Sequence, residues 1–130
     1  MAIFQLKLMS VQDFAELYDC KYDLSTNRTV VIDTRPEVEY AICSLPKTTS
    51  SSPLYPLRNQ LTVLDIPLST MLSSPDAVPE SADIVFICRR GQDSQVAAAA
   101  LAKAGRRRVK DVIGGLEAWS RDVDPTFPTY

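Results

Sequence analysis

The 130-residue chain contains no histidine, so no local imidazole can serve as a base in whatever chemistry it performs. Cysteine is scarce. Cys20, Cys43 and Cys88 stand at unrelated spacings, which match neither a metal-site pattern nor an even-numbered disulfide framework, and a reducing cytosol is the expected compartment. No stretch approaches the ~20 apolar residues of a membrane span, and Met1 to Met9 lacks the charged start and apolar middle of a secretory signal, so a soluble domain with no membrane partner is expected. An excess of positive charge is missing too. The net charge of −2 argues against a general or specific nucleic-acid binder. No internal repeat is present. What remains, 45% hydrophobic residues in a chain of ordinary domain length, suffices for one core.

Strand and helix signals alternate along the chain. Gln5 to Leu8 reads as a short strand, and Ser10 with Asp13 three residues on reads as an N-cap for the amphipathic stretch Val11, Phe14, Leu17, Tyr18. Thr29 to Ile32 and Ile84 to Ile87 are compact β-rich runs of the kind found where both faces of a sheet are covered. Lys47 to Arg58, rich in Ser and Pro, reads as a long mobile loop before a short strand at Val63 to Ile66. Ser94 to Ala104, rich in alanine, predicts a helix that packs closely on a sheet and ends at Gly105. The expected fold class is α/β: a single domain with a mostly parallel central sheet flanked by helices. Residues 1–9 form its leading segment, with Met1 and Ala2 read as additions to the natural chain. Residues 10–130 form the domain, with a flexible insertion over 47–60.

The most informative run is Asp83 to Gln95, where an apolar strand leads into Cys88, a tight polar loop and then a helix. Ligands of parallel sheets bind beyond the carboxyl ends of strands, where Cys88 falls. Free amides of such a loop and of a first helical turn favour an anion in front of them. Arg89 and Arg90 add formal positive charge within two residues of the sulfur. Together these predict a thiolate at neutral pH. A small apolar residue ending a strand explains the same spacing equally well.

Beyond spacing, four separated segments in order closely resemble the rhodanese family. Cys88 to Asp93, beginning Cys-Arg-Arg-Gly, resembles its six-residue active loop. Val30 to Arg35 followed by Glu39 and Tyr40 resembles its strand-Asp-x-Arg segment with a Glu four residues after the Arg. Val109 to Trp119 resembles its last strand, Gly-Gly turn and Trp-bearing helix. Ala41 to Pro46, Arg90 to Gln95 and Asp124 to Tyr130 are similar to one branch, the sulfurtransferase domains that follow a eukaryotic E1-like adenylyltransferase. Most rhodaneses have Gly-His-Ile-Pro where this chain has Cys43-Ser44-Leu45-Pro46, and that branch shares the departure.

The resemblance implies a rhodanese-like fold and an enzyme of the sulfurtransferase type. Cys88 is the implied carrier of sulfane sulfur as a persulfide, cradled by the loop Arg89, Arg90, Gly91, Gln92, Asp93 and Ser94. Asp33 and Arg35 could be catalytic, but ion pairs of this sort mostly order structure, so Asp33, Arg35 and Glu39 are read as structural support, with an Arg35–Glu39 pair bracing the loop. The implied acceptor is the activated C-terminus of a ubiquitin-related modifier or sulfur carrier protein. Its thiocarboxylate would serve tRNA thiolation, molybdenum-cofactor synthesis or both. The implied donor is a cysteine desulfurase or a rhodanese relay. The third partner is an E1-like adenylation domain of a longer protein, to which ATP and zinc belong; no cofactor or metal is expected in this stretch.

Alternatives stay open. A general thiosulfate sulfurtransferase and a non-catalytic rhodanese-like docking module share the fold, and Asp93 at the loop mouth is expected to disfavour small anionic donors. Cys-based phosphatases close a longer loop with an Arg where Ser94 stands here. Lys103, Arg106, Arg107, Arg108 and Lys110 could dock an acidic partner or form a solvated turn. Cys20 and Cys43 read as passive thiols, with a resolving role for Cys43 held as the rarer reading. Trp119 reads as core.

Overall fold

In the computed structural model, which describes residues 6–17, 28–45, 61–78 and 82–130, the two β-rich runs become the middle of a sheet. They are β2 (Arg28–Asp33) and β4 (Ala82–Ile87). Side chains alternate across a strand. Val31, Val85 and Ile87 therefore enter one core cluster, and Val30, Ile32, Ile84 and Phe86 enter the other. Strands apolar on both faces are stable only when both faces are covered, and here helices cover both. β1 (Leu6–Met9), β3 (Leu61–Asp65) and β5 (Val109–Val112) complete a five-stranded sheet of order β1-β5-β4-β2-β3, parallel throughout. The expectation of an α/β domain with a mostly parallel sheet holds.

One face carries α1 (Val11–Glu16) and α5 (Gly115–Asp122), the other α3 (Leu68–Ser73) and α4 (Asp93–Lys103). Ser10 caps α1 as expected, its Oγ accepting from the Asp13 amide at 3.0 Å. Phe14 of α1 meets Trp119 of α5 edge to face, with centroids 5.5 Å apart, a geometry worth about 0.5–1.5 kcal/mol beyond the area buried. Trp119 is core, as the sequence indicates. On the opposite face Ala97, Ala98 and Leu101 of α4 pack with Met71 of α3 on β2, β4 and β5. Gly105 ends α4 in the left-handed region (φ +98°), its amide donating to Ala102 and that of Arg106 to Leu101, which satisfies carbonyls of the last turn.

Two short helices escape the sequence reading: α2 (Glu37–Tyr40) and α3. Each opens directly after a proline, Pro36 or Pro67, whose φ of −58° or −56° presets the turn. β3 lies earlier than the expected Val63 to Ile66, and α4 begins and ends one residue before Ser94 to Ala104. Gln5, Tyr18, Cys20 and Lys47 to Arg58 lie outside the described residues.

The register positions the site. Asp33 pairs with Ile87, so β2 and β4 end level, and the Thr34 amide donates to Ile87 at 2.9 Å. Arg35 and Cys88 therefore leave the sheet side by side at its carboxyl edge.

Candidate active site

Cys88 follows the last residue of β4 and is 4% exposed. Its Sγ accepts from the Gly91 amide at 3.1 Å and donates to Ser94 Oγ at 3.2 Å. Gly91 reaches the sulfur by adopting φ +94°, a conformation open to glycine at little cost. Of the amides from Arg89 to Ser94 expected to ring the sulfur, that of Gly91 makes the bond. The loop then runs into the 11-residue α4, which leaves Cys88 close to a helix N-terminus.

The Gly-Gly turn holds this loop from behind. Gly114 and Gly115 both have positive φ, +77° and +59°. The amides of Leu116 and Glu117, free because they open α5, donate to the carbonyls of Cys88 (2.8 Å) and Arg89 (2.9 Å). A Cβ on Gly115 would fall 2.3 Å from the Cys88 carbonyl oxygen. The motif thus needs glycine both for its dihedral angle and for the approach of α5 to the cysteine.

The neighbouring wall is built on Arg35, 1% exposed. Its Nε donates to both oxygens of Asp33 (2.9 and 3.0 Å) and its Nη2 to Oδ2 (2.7 Å). Nη2 also donates to the Cys43 carbonyl (2.8 Å), while Nη1 donates to the Glu39 carbonyl (3.2 Å) and to Tyr130 Oη (2.9 Å). The expected Arg35–Glu39 pair is thereby corrected. The carboxylate partner of Arg35 is Asp33. Glu39 offers Arg35 its backbone oxygen and accepts the Tyr130 hydroxyl on its carboxylate. The reason is reach: a bidentate grip from two residues away on the strand end leaves the guanidinium's outer edge for carbonyls.

Burial works against charge on Arg35, but its bonds to Asp33 and Tyr130 more than offset that and raise its pKa above the ordinary value. Burial pushes the Asp33 carboxyl up, opposed by the guanidinium of Arg35 and by the Arg35 backbone amide, which donates to Oδ1 at 3.1 Å. Burial first, and then Glu39, push Tyr130 up to about 12 against the pull of Arg35, so its hydroxyl stays protonated and can donate.

Arg35, Pro36, Glu39, Cys88, Arg89, Arg90, Gln92 and Asp93 line a cavity of about 180 Å³ above the sulfur. The two loop arginines border it, yet their guanidinium groups are engaged elsewhere. Arg89 stacks over the Tyr130 ring at 4.3 Å, and Arg90 lies 3.7 Å from Glu117 in an exposed pair, a contact of little energetic weight. Ser94, fully buried, faces inward to Cys88 and to the carboxylate of Asp111 on β5.

Two residues of this site were given no role in the sequence, although both lie in segments that carried the resemblance. Asp111 is an acid in a buried strand between Val109 and Val112. Tyr130 belongs to the ending Asp124 to Tyr130, and only the fold brings it to Arg35 and Arg89. The basic cluster sits at the other end of the sheet, at the start of β5. Arg108 there pairs with Asp83 at 3.8 Å, and Arg106 donates to the Val78 carbonyl. Cys43 places its sulfur 3.8 Å from Arg35 Nη1 and packs against the core beside α1 and α5.

The match of the Rhodanese-like domain family spans residues 15–122, and the chain belongs to that family. It is 38% identical over 125 residues to the adenylyltransferase and sulfurtransferase MOCS3 of Arabidopsis thaliana, covering 94% of this chain and 25% of that protein. It is 32% identical over 123 residues to the adenylyltransferase and sulfurtransferase UBA4 of Lodderomyces elongisporus, with the same coverage of 94% and 25%. The chain thus spans about a quarter of the length of these curated relatives. Among solved structures, the human single-domain sulfurtransferase TSTD1 superposes with a TM-score of 0.62 at 19% identity, covering 88% of this chain and 96% of that one. The protein SSP1007 of Staphylococcus saprophyticus superposes with a TM-score of 0.64 at 17% identity, covering 94% and 98%. These likenesses agree on the fold.

Proposed function

We propose that this chain is a sulfurtransferase domain that carries sulfane sulfur on Cys88 and passes it to the activated C-terminus of a ubiquitin-like sulfur carrier protein. The observation that carries this reading is the Cys88 sulfur, bonded by the Gly91 amide at the floor of a cavity bordered by Arg35, Arg89 and Arg90. A thiolate there attacks the terminal sulfur of a donor persulfide. The donor's S–S bond breaks, its thiolate leaves, and Cys88 becomes the persulfide. The terminal persulfide sulfur then attacks the carrier's C-terminal acyl-adenylate, AMP leaves, and an acyl disulfide forms. A thiol outside this chain reduces it to the thiocarboxylate used in tRNA thiolation or molybdenum-cofactor synthesis. Nucleophilic catalysis of this kind needs an activated sulfur rather than an imidazole.

The names of the MOCS3 and UBA4 relatives, adenylyltransferase and sulfurtransferase, support the pairing with an E1-like adenylation domain, which would hold ATP and zinc, and the proposed donor is a cysteine desulfurase or a rhodanese relay. Among the described residues no helix is long and apolar enough to cross a membrane, and the cytosol is the proposed compartment. A thiosulfate sulfurtransferase is disfavoured by Asp93 on the cavity rim. A phosphatase is disfavoured by Ser94, which bonds the nucleophile where an arginine would grip phosphate.

Incubation with a sulfane-sulfur donor followed by peptide mass spectrometry tests the reading. A gain of about 32 Da, one sulfur atom, belongs on the Cys88 peptide, as expected for a reactive thiolate. Cys88→Ser abolishes it, and Cys20→Ser and Cys43→Ser retain most of it. Loading that persists in Cys88→Ser removes the proposal.

A further inference from the structure

The charged side chains that line the Cys88 cavity are not equally occupied. Arg35 is gripped by Asp33, Arg90 lies beside Glu117, and Glu39 accepts the Tyr130 hydroxyl. Arg89 differs. Among the described residues no carboxylate pairs with its guanidinium, which instead lies over the Tyr130 ring at 4.3 Å. A guanidinium stacked on a ring uses one face and keeps its N–H groups, which lie in its plane, for another acceptor. The ring is itself fixed, because the Tyr130 hydroxyl accepts from Arg35 and donates to Glu39. Arg89 is half-buried and borders two hollows, the Cys88 cavity and a smaller one formed with Glu117, Pro128, Thr129 and Tyr130. It is thus an oriented cation at the edge of the site, with donors to spare.

The transfer step of the proposed function needs a cation at such an edge. An anionic persulfide must approach the carbonyl carbon of an acyl-adenylate whose phosphate already carries one negative charge, and like charges repel. As the S–C bond forms, the bond from the acyl carbon to the phosphate oxygen breaks. The electron pair goes to that oxygen, and AMP leaves with two negative charges. A donor aimed there therefore binds more strongly in the transition state than in the ground state. The cavity of about 180 Å³ is well below the roughly 300–1,000 Å³ of pockets that enclose a drug-sized ligand. The acyl end fits inside, which leaves the nucleotide outside and its phosphate at the rim.

We propose that Arg89 is a catalytic residue of the transfer step, binding the phosphate of the acyl-adenylate with the in-plane N–H groups of its guanidinium while Tyr130 holds that plane. The inference rests on the proposed function and adds to it the group that receives the leaving nucleotide. Arg35 is unsuited, because its N–H groups are committed to Asp33, to the Glu39 and Cys43 carbonyls and to Tyr130. Arg90 is exposed, and a 3.7 Å pair with Glu117 does not fix it. Asp93 and Glu39, the acids on the same cavity, can only repel the phosphate.

Two acetyl donors test the assignment. Persulfide-loaded protein is mixed with acetyl-adenylate, whose leaving group is AMP, or with p-nitrophenyl acetate, whose leaving group has no phosphate. Acetyl transfer to the Cys88 persulfide is followed by peptide mass spectrometry, and the quantity read is the ratio of the two rates. Arg89→Gln should lower that ratio about 20-fold and Arg89→Lys about fivefold, since lysine keeps the charge and loses the fork. A purely structural role for Arg89 would slow both reactions alike. An unchanged ratio in Arg89→Gln, or a fall confined to Arg90→Gln, overturns the proposal. A second measurement uses the unmutated protein. With 15N labelling, the Nε–H resonance of Arg89 should shift on titration with AMP and stay in place with adenosine. A resonance indifferent to both, or moved equally by both, overturns the proposal even if Arg89→Gln fails to fold. Sulfur loading is scored separately. Loading with an unchanged ratio overturns the role of Arg89 and leaves the proposed function, whereas failure to load removes the proposed function and the AMP titration still decides whether Arg89 binds phosphate.

Discussion

The backbone amide of Leu116 donates to the carbonyl of Cys88 at 2.8 Å, so the helix that closes the fold also clamps the residue that bears the nucleophile. The contact exists because Gly115 has no side chain, and it makes the Gly-Gly turn part of the active loop rather than a mere connection.

Gly115→Ala should therefore damage the site and the fold together. The left-handed φ of +59° costs a non-glycine residue about 1–2 kcal/mol, and the clash with the Cys88 carbonyl adds to it. A total near 3 kcal/mol is expected in urea unfolding, with sulfur loading lost well before unfolding. A variant with ordinary stability and loading would show that α5 can retreat from the loop.

Tyr130 bonds Arg35 and Glu39 through its hydroxyl and supports Arg89 through its ring. Tyr130→Phe should cost about 1–2 kcal/mol, since it strips one polar partner from buried Arg35 and one from half-buried Glu39, while the stack under Arg89 and the loading of Cys88 persist. Tyr130→Ala should release Arg89 as well and slow loading. Equal effects of the two substitutions would mean the ring contributes nothing to the loop.

Asp93 lies on the rim of the Cys88 cavity. At about 8 Å in a water-like medium its charge repels a dianion by about 1 kcal/mol, roughly fivefold in rate. Asp93→Thr should raise thiosulfate turnover by about that factor at low salt, less at high salt, with no parallel gain toward a ubiquitin-like acceptor. Thiosulfate kinetics indifferent to ionic strength in both proteins would place Asp93 outside the approach path.

The Asp111 carboxyl, raised from 3.8 to about 6, makes the native state bind its proton more tightly than the unfolded chain does. Its contribution to stability is thus fully present below about pH 4 and lost as pH rises through about 6, with an upper bound of about 3 kcal/mol. Asp111→Asn removes that loss, so its stability relative to the unmutated protein should improve between pH 4.5 and pH 7.5. A difference that stays constant over this range would show that Asp111 is not held back by burial.

Much of this architecture was legible in the residues themselves. The runs Thr29 to Ile32 and Ile84 to Ile87 announced strands covered on both faces, Ser10 and Asp13 announced the start of α1, and Gly105 announced the end of α4. These are short-range signals: each states a requirement of the local backbone that neighbouring residues meet. The order Cys88, polar loop, helix belonged to the same category, and the resemblance to rhodaneses narrowed its chemistry.

The choice of partners belonged to the tertiary structure. In sequence, Arg35 had Glu39 as an acid one helical turn away; in the fold it grips Asp33 and bonds Tyr130, which lies 95 residues further on. Asp111 is an acid in an apolar strand, and parallel pairing of β4 with β5, with α4 packed across them, sets it behind Ser94 and Cys88. Local sequence specifies dihedral angles and hydrophobic period, so it determined most of the elements and the carboxyl-edge placement of Cys88. Hydrogen bonds and charges between distant residues depend on distances that exist only after the sheet has closed its register, so the wall of Arg35, the support under Arg89 and the carboxylate behind the sulfur were decided by the fold alone.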